Sequence, residues 1–216
     1  MVMRQMNWKS VININREQLN YIRFVDDSVL ITENTIKLQK MLQDLNTKSS
    51  QVGLKINHSK TKFLWSDTLA KAQITTKGEQ MEEVEQYVYL GQEINKLHNQ
   101  EGELSRRKKA GWCAFNSIKD VLQGKINKAT CASLFTSTVL PAMLYGSETW
   151  SLMKTEKQQL SAMERVMERR ILGISICNQI PNEGIIHKSG VQDVIVESRH
   201  SKMQWAGRIA RLTDNQ

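Results

Sequence analysis

The stretch Tyr21-Ile22-Arg23-Phe24-Val25-Asp26-Asp27-Ser28-Val29-Leu30-Ile31 decides how the first part of the chain folds. β-Favouring residues run from Tyr21 to Val25 and resume from Val29 to Thr32, so two short strands are expected to fold back around an Asp26-Asp27 turn. Upstream, Val11, Ile12 and Ile14 read as another strand before Asn15. Downstream, Asn34 or Thr35 can cap a helix whose Leu38, Met41, Leu42, Leu45 and Val52 recur at steps of three and four, and Gly53 ends it. Leu54 to Ile56, Phe63 to Trp65 and Tyr87 to Leu90 read as further strands between polar loops carrying Asn57, Asp67 and Gly78.

Past a seam at Lys96 to Gly102 the period becomes helical. Leu104, Trp112, Phe115, Ile118 and Leu122 share one face up to Gly124, which makes Trp112 and Phe115 core residues rather than a stacking surface. Ala129, Ala132, Phe135 and Val139 predict a second helix that stops near Pro141, with a turn at Tyr145 to Ser147. Thr155 with Gln158 offers a capping box for a helix bearing Leu160, Met163, Met167 and Ile171. Beyond Pro181 a last helix carries Ile195, Met203, Ala206 and Ile209 on its apolar face.

The chain has 216 residues, 40% of them hydrophobic, with only 11 Gly and 2 Pro, which excludes a disordered or collagen-like chain. Thirty Lys+Arg against 22 Asp+Glu leave a formal charge of +8, a balance that attracts polyanions such as nucleic acid or an anionic surface. The most apolar run, Val139 to Tyr145, is short and broken by Pro141, and Arg4, Gln5 and Asn7 interrupt the first eight residues. Neither a bilayer span nor a signal peptide is expected, and an intracellular, soluble protein with no membrane partner fits best. Cys113, Cys131 and Cys177 are widely spaced, and His58, His98, His187 and His200 lack ligand spacing, so neither a disulfide framework nor a zinc site is indicated.

Adjacent carboxylates at the tip of an apolar hairpin can hold divalent cations for phosphoryl transfer, although two metals need more than one such pair. Asp-Asp is also ordinary turn chemistry between strands. Arg106, Arg107, Lys108 and Lys109 open the first long helix of the second part, Lys119, Lys125 and Lys128 follow, and Arg199, Lys202, Arg208 and Arg211 lie on the last helix. Each alone reads as a solvated face; as a set they favour contact with the phosphates of a nucleic-acid duplex. Cations at a helix amino terminus oppose the macrodipole, a sign that an anion is meant to lie there.

Leu19 to Ile31 with its following helix, then Gly53-Leu54-Lys55-Ile56-Asn57 with Lys60-Thr61-Lys62, then Tyr87-Val88-Tyr89-Leu90-Gly91, resemble in order the palm of non-LTR retrotransposon (LINE-type) reverse transcriptases. They look like the YxDD hairpin, the block that follows it and the primer-grip strand. Phe24 stands where the family usually has Tyr. Leu144 to Trp150, Glu168 to Ile174 and Trp205 to Arg211 resemble the thumb and the helical tail beyond it, with Arg208 where His is frequent.

The resemblance implies an α/β palm fragment of short antiparallel hairpin strands plus a helix over residues 1–96, thumb-like helices over 97–146 and an all-helical tail over 147–216. It implies RNA-directed DNA polymerase ancestry, with Asp26 and Asp27 as catalytic ligands of Mg²⁺ and Lys60, or its competitor Lys62, as proton donor to the pyrophosphate leaving group. An exposed lysine on a strand is, however, more often a solvated face than a catalyst. The implied partners are an RNA template, a DNA primer and dNTP, with Arg106, Arg107, Lys108, Lys109 and Lys125 on the nucleic acid. The family places a further metal-binding Asp on an earlier palm strand; no Asp precedes Asp26 in this sequence, and Glu17, Glu33 and Asp44 stand at neither the spacing nor the strand position required. The expectation is a transposon-derived carboxy-terminal fragment that does not polymerise alone, its incomplete sheet leaving an edge and an apolar face open. The alternative is a non-catalytic nucleic-acid-binding protein.

Overall fold

The computed structural model describes residues 6, 8, 12–14, 17–65, 73–76, 78–97 and 99–212. Asn7, Val11, Asp67 and His98, all used in reading the sequence, lie outside the described residues. The chain forms two compact units, residues 1–87 with 94–98, and residues 88–93 with 99–216.

In the first unit β1 (Ile12–Ile14) pairs antiparallel with β2 (Glu17–Leu19), and β3 (Tyr21–Phe24) with β4 (Asp27–Leu30). Helix α1 (Thr35–Gln51) follows, capped by Asn34, whose side-chain oxygen accepts from the Ile36 amide at 2.8 Å and the Lys37 amide at 3.4 Å. Gly53, at φ +78°, ends it as expected: its amide and that of Leu54 return to the carbonyls of Ser50 and Ser49. β5 (Lys62–Phe63) runs parallel to β8 (Glu82–Glu83), and β6 (Thr75–Thr76) pairs with β7 (Glu79–Gln80). Leu42, Trp65, Ile74 and Met81 are buried together, with Leu30, Leu38, Ile56 and Phe63 packed against them. The Gln39 amide brackets the Thr75 backbone, donating to its carbonyl at 2.6 Å and accepting from its N–H at 2.9 Å, which fixes β6 to α1.

Leu54 to Ile56 forms no strand. Ile56 packs against the core while Leu54 and Lys55 are exposed, and the chain turns on Asn57 instead of pairing. β9 (Gln86–Tyr89) and β10 (Gln92–Asn95) make a hairpin whose outer ends belong to the first unit and whose tip belongs to the second. Leu90 and Gly91 form that tip at φ +49° and +84°.

The second unit is helical: α2 (Glu101–Leu122), α3 (Lys128–Leu134), α4 (Leu140–Leu144), α5 (Lys154–Ile171), α6 (Asn182–Ser189) and α7 (Val194–Arg211). Phe115, Phe135, Val139, Leu140, Met143, Leu160, Met167 and Val194 lie in one continuous core. Trp112 meets Phe115 edge-on at 5.6 Å at its margin, as its helical face predicts. The helix expected to stop near Pro141 continues to Leu144. A π segment, Phe135–Val139, widens the turn just ahead of the proline, and the Leu140 amide bonds the Phe135 carbonyl five residues back. A proline breaks a regular helix by clashing with the carbonyl four residues earlier; the widened turn relieves that clash.

Helix α2 begins at Glu101, not at the basic cluster, so Glu101 and Glu103 occupy its first turn in accord with the dipole, and Arg106 to Lys109 lie past the helix end that would call for an anion. The box at α5 forms two residues earlier than expected, with the Met153 amide donating to Glu156 at 2.6 Å. On α7 the buried positions are Val194 and Ser198, while Met203, Ala206 and Ile209 are exposed. Among the described residues no helix is long and apolar enough to cross a membrane.

Candidate active site

The β3–β4 register pairs Tyr21 with Leu30, Ile22 with Val29, Arg23 with Ser28 and Phe24 with Asp27. This leaves Val25 and Asp26 as the loop, one residue earlier than the sequence suggests, and makes Asp27 the first residue of β4. Val25 sits at φ +51° and is 75% exposed. A β-branched residue in the left-handed region stores on the order of 1–3 kcal/mol of strain, and such strain concentrates where a chain must hold a ligand.

The foot of the hairpin is anchored. Leu30 packs on the core, Tyr21 meets Trp8 edge-on at 6.1 Å, and Asn20 donates to the Trp8 carbonyl at 2.9 Å. The tip is bare: Phe24, Val25, Asp26 and Asp27 are all exposed, and neither carboxylate has a side-chain partner among the described residues. Their oxygen donors suit Mg²⁺. Asp44 accepts from the Trp8 indole at 3.2 Å, and among the described residues no three His, Cys, Asp or Glu side chains gather to hold a metal.

Lys60 lies in a turn rather than on a strand. Asn57 Oδ1 accepts from the Ser59 hydroxyl at 2.8 Å and the Lys60 amide at 3.3 Å, and the Thr61 hydroxyl donates to the Asn57 carbonyl at 2.6 Å. The Lys60 side chain is exposed, whereas Lys62 is ion-paired with Glu82 across the parallel β5–β8 strands.

The five expected phosphate contacts separate into two groups. Arg106 and Arg107 both donate to the Gly91 carbonyl and to Glu103, and the Arg107 guanidinium lies 4.7 Å from the centre of the Tyr145 ring. Arg107 is 8% exposed, so its charge is spent inside the protein and offers nothing to a phosphate. Lys108, half-buried, donates to Gln159 at 2.5 Å. Lys109 and Lys125 are exposed.

A second buried polar cluster escapes the sequence reading. Arg165 pairs with Glu164, Glu168 and Asp193, and Ser189 donates to Glu168 at 2.6 Å, joining α5, α6 and the start of α7. Burial pushes the Glu164 carboxyl up to about 8, opposed by Arg165 and the Val194 backbone amide. Glu168 is also raised by burial, against the pull of Ser189 and Arg165.

Residues 2–94 match the reverse transcriptase (RNA-dependent DNA polymerase) family. Over 211 residues the chain is 36% identical to a transposon-derived protein of Caenorhabditis elegans, an alignment that spans 94% of this chain and 76% of that protein. No solved structure matches.

Proposed function

The chain belongs to a transposon-derived protein family, with a reverse transcriptase domain matched over residues 2–94, and from that premise we propose that it holds a primed RNA template without extending the primer on its own. The observation that supports this reading is the anchored hairpin with Asp26 and Asp27 open at its tip. On this reading residues 1–96 are a partial palm of the non-LTR type, residues 97–146 are thumb-like and residues 147–216 form the tail.

Asp26 and Asp27 would hold Mg²⁺, which when bound neutralises triphosphate charge and activates a primer 3′-hydroxyl. The core contact of Leu30 keeps β4, and with it Asp27, on a fixed base. Lys60, exposed and with no side-chain partner among the described residues, is the candidate proton donor to pyrophosphate, since Lys62 is engaged by Glu82. Two carboxylates do not complete a two-metal set, and no third joins them among the described residues, so the isolated chain is expected to bind rather than to polymerise. Lys109 and Lys125 would lie along the phosphates of the RNA–DNA hybrid, and dNTP would be the substrate of a completed site.

The test is primer extension on an RNA template by the purified 216-residue chain with Mg²⁺, beside Asp26→Asn, with duplex binding followed over a salt series. Binding that weakens steadily with salt and no extension is the expected result. Extension that Asp26→Asn abolishes would establish a complete polymerase site and overturn the inactivity. Absence of binding at low salt would overturn the nucleic-acid reading itself.

A further inference from the structure

Helix α7 outruns the surface it packs on. Asp193 caps it by accepting from the Ile195 and Val196 amides at 2.9 and 3.1 Å, Val194 and Ser198 are buried, and Lys202 donates to the Trp150 carbonyl at 2.9 Å. The same stripe then continues at steps of three and four as Trp205, Ile209 and Leu212. These three are 46%, 48% and 64% exposed. The line of residues that seats the first half of the helix therefore runs on in apolar side chains that are left half-exposed or more.

The charge around this stripe has one sign. From Ser198 to Leu212 the chain carries Arg199, Lys202, Arg208 and Arg211 and no Asp or Glu. Arg208 stands three residues beyond Trp205, on the adjacent ridge of the helix. Arg208 and Arg211 in the last helical turn suit the dipole, but the dipole gives no reason to leave a half-exposed indole one turn before them. An indole followed by two arginines is suited to the π-face of a nucleobase whose phosphates the arginines reach.

We propose that the overhanging half of α7 is a platform for single-stranded nucleic acid, with Trp205 stacking an unpaired base and Arg208 and Arg211 engaging its phosphates. The inference rests on the nucleic-acid reading above and narrows it to unpaired strands at a defined helix. Charge complementarity selects this occupant. A second copy of the helix would bring like charges together, and a bilayer would take up a stripe only three apolar side chains long with Lys202 and Arg208 beside it.

The test is fluorescence anisotropy of the full chain with a labelled oligo-uridine and with a blunt RNA–DNA duplex, for the parent, Trp205→Ala, Trp205→Phe and Arg208→Gln. Trp205→Ala should weaken oligo-uridine binding by about fivefold or more and leave the duplex nearly unchanged, and Trp205→Phe should retain most of the affinity. Arg208→Gln should lower the salt dependence by about one phosphate contact. Trp205 and Arg208 are both exposed, and thermal melts verify that the variants fold. Unchanged oligo-uridine binding by Trp205→Ala overturns the proposal, as does a parent that binds duplex but no single strand; the latter leaves the proposed function standing. A parent that binds neither overturns both. Loss in Trp205→Ala of binding to phosphatidylserine vesicles, or of self-association in sedimentation, with oligo-uridine affinity intact, assigns the helix to a membrane or to a second copy and overturns the proposal.

Discussion

Arg107 Nε lies 2.6 Å from Glu103 Oε1, one turn earlier on α2, and both residues are buried. The pair holds the β9–β10 tip, because both Arg106 and Arg107 donate to the Gly91 carbonyl while the Glu93 amide donates to Glu103 at 2.9 Å. Glu103→Ala would strand a buried guanidinium and is expected to cost about 3–5 kcal/mol of stability. Arg107→Met leaves Glu103 its bond to Arg106 and is expected to cost markedly less. Urea unfolding of the two variants ranks them; equal costs would show that Glu103 matters only through Arg107.

Two helical glycines should respond in opposite directions to alanine. A Cβ at Gly111 would overlap Met143 Cγ, where α2 and α4 approach closely, so Gly111→Ala is expected to lose about 1–3 kcal/mol despite its better helix propensity. A Cβ at Gly207 would meet only the Arg211 guanidinium, at 3.6 Å, so Gly207→Ala should gain about 1 kcal/mol. Melting temperatures that move the same way would refute the contrast.

Glu164 gives the protein a pH dependence of defined sign. Its carboxyl, 4.5 when unperturbed, is held at about 8 in the fold, so between those values the folded chain keeps a proton that the unfolded chain releases. Stability therefore falls as pH rises from about 4.5 to 8 and levels off above that. Glu168, raised in the same direction, adds to the trend. Glu164→Gln should melt several degrees above the parent near pH 9 and close to it near pH 5. Parallel melting curves across that range would exclude Glu164 as the titrating group.

Val25 holds a conformation that glycine adopts without strain. Val25→Gly relieves on the order of 1–3 kcal/mol and adds about 0.5–1 kcal/mol of unfolded-chain entropy, so the net expectation is a gain near 1 kcal/mol. Thermal unfolding checks this, and a loss above 1 kcal/mol would mean that the exposed isopropyl group packs on something.

Much of the architecture is legible in the sequence. The steps of Leu38 and Leu42, and of Leu160, Met163 and Met167, mark α1 and α5 because each helix buries a single stripe. The hairpin that carries Asp26 and Asp27 is legible to within one residue: turn preference favours both acids as the loop, but the Phe24–Asp27 pair draws Asp27 into the strand. Arg106 and Arg107 mislead, since a basic pair after Glu103 has the pattern of a solvated helix face until the hairpin tip covers it. Glu164, Arg165 and Glu168 hide for the same reason. Pro141 misleads because its chain reading assumes a regular helix, and the widened turn before it follows from the packing of Phe135 and Val139.

That π segment also sets an angular phase. A turn closed over five residues absorbs one residue more than a regular turn, and each residue in a helix rotates the face by about 100°. Leu140, Met143 and Leu144 share a core with Cys131 and Phe135 because the widened turn takes up the extra residue, which in a regular helix would advance them by that angle. Deleting one residue between 135 and 139 would therefore let the helix close in regular turns with α4 still facing α2, whereas forcing the present residues into regular turns would rotate the whole set away, a frame error written in rotation rather than in sequence.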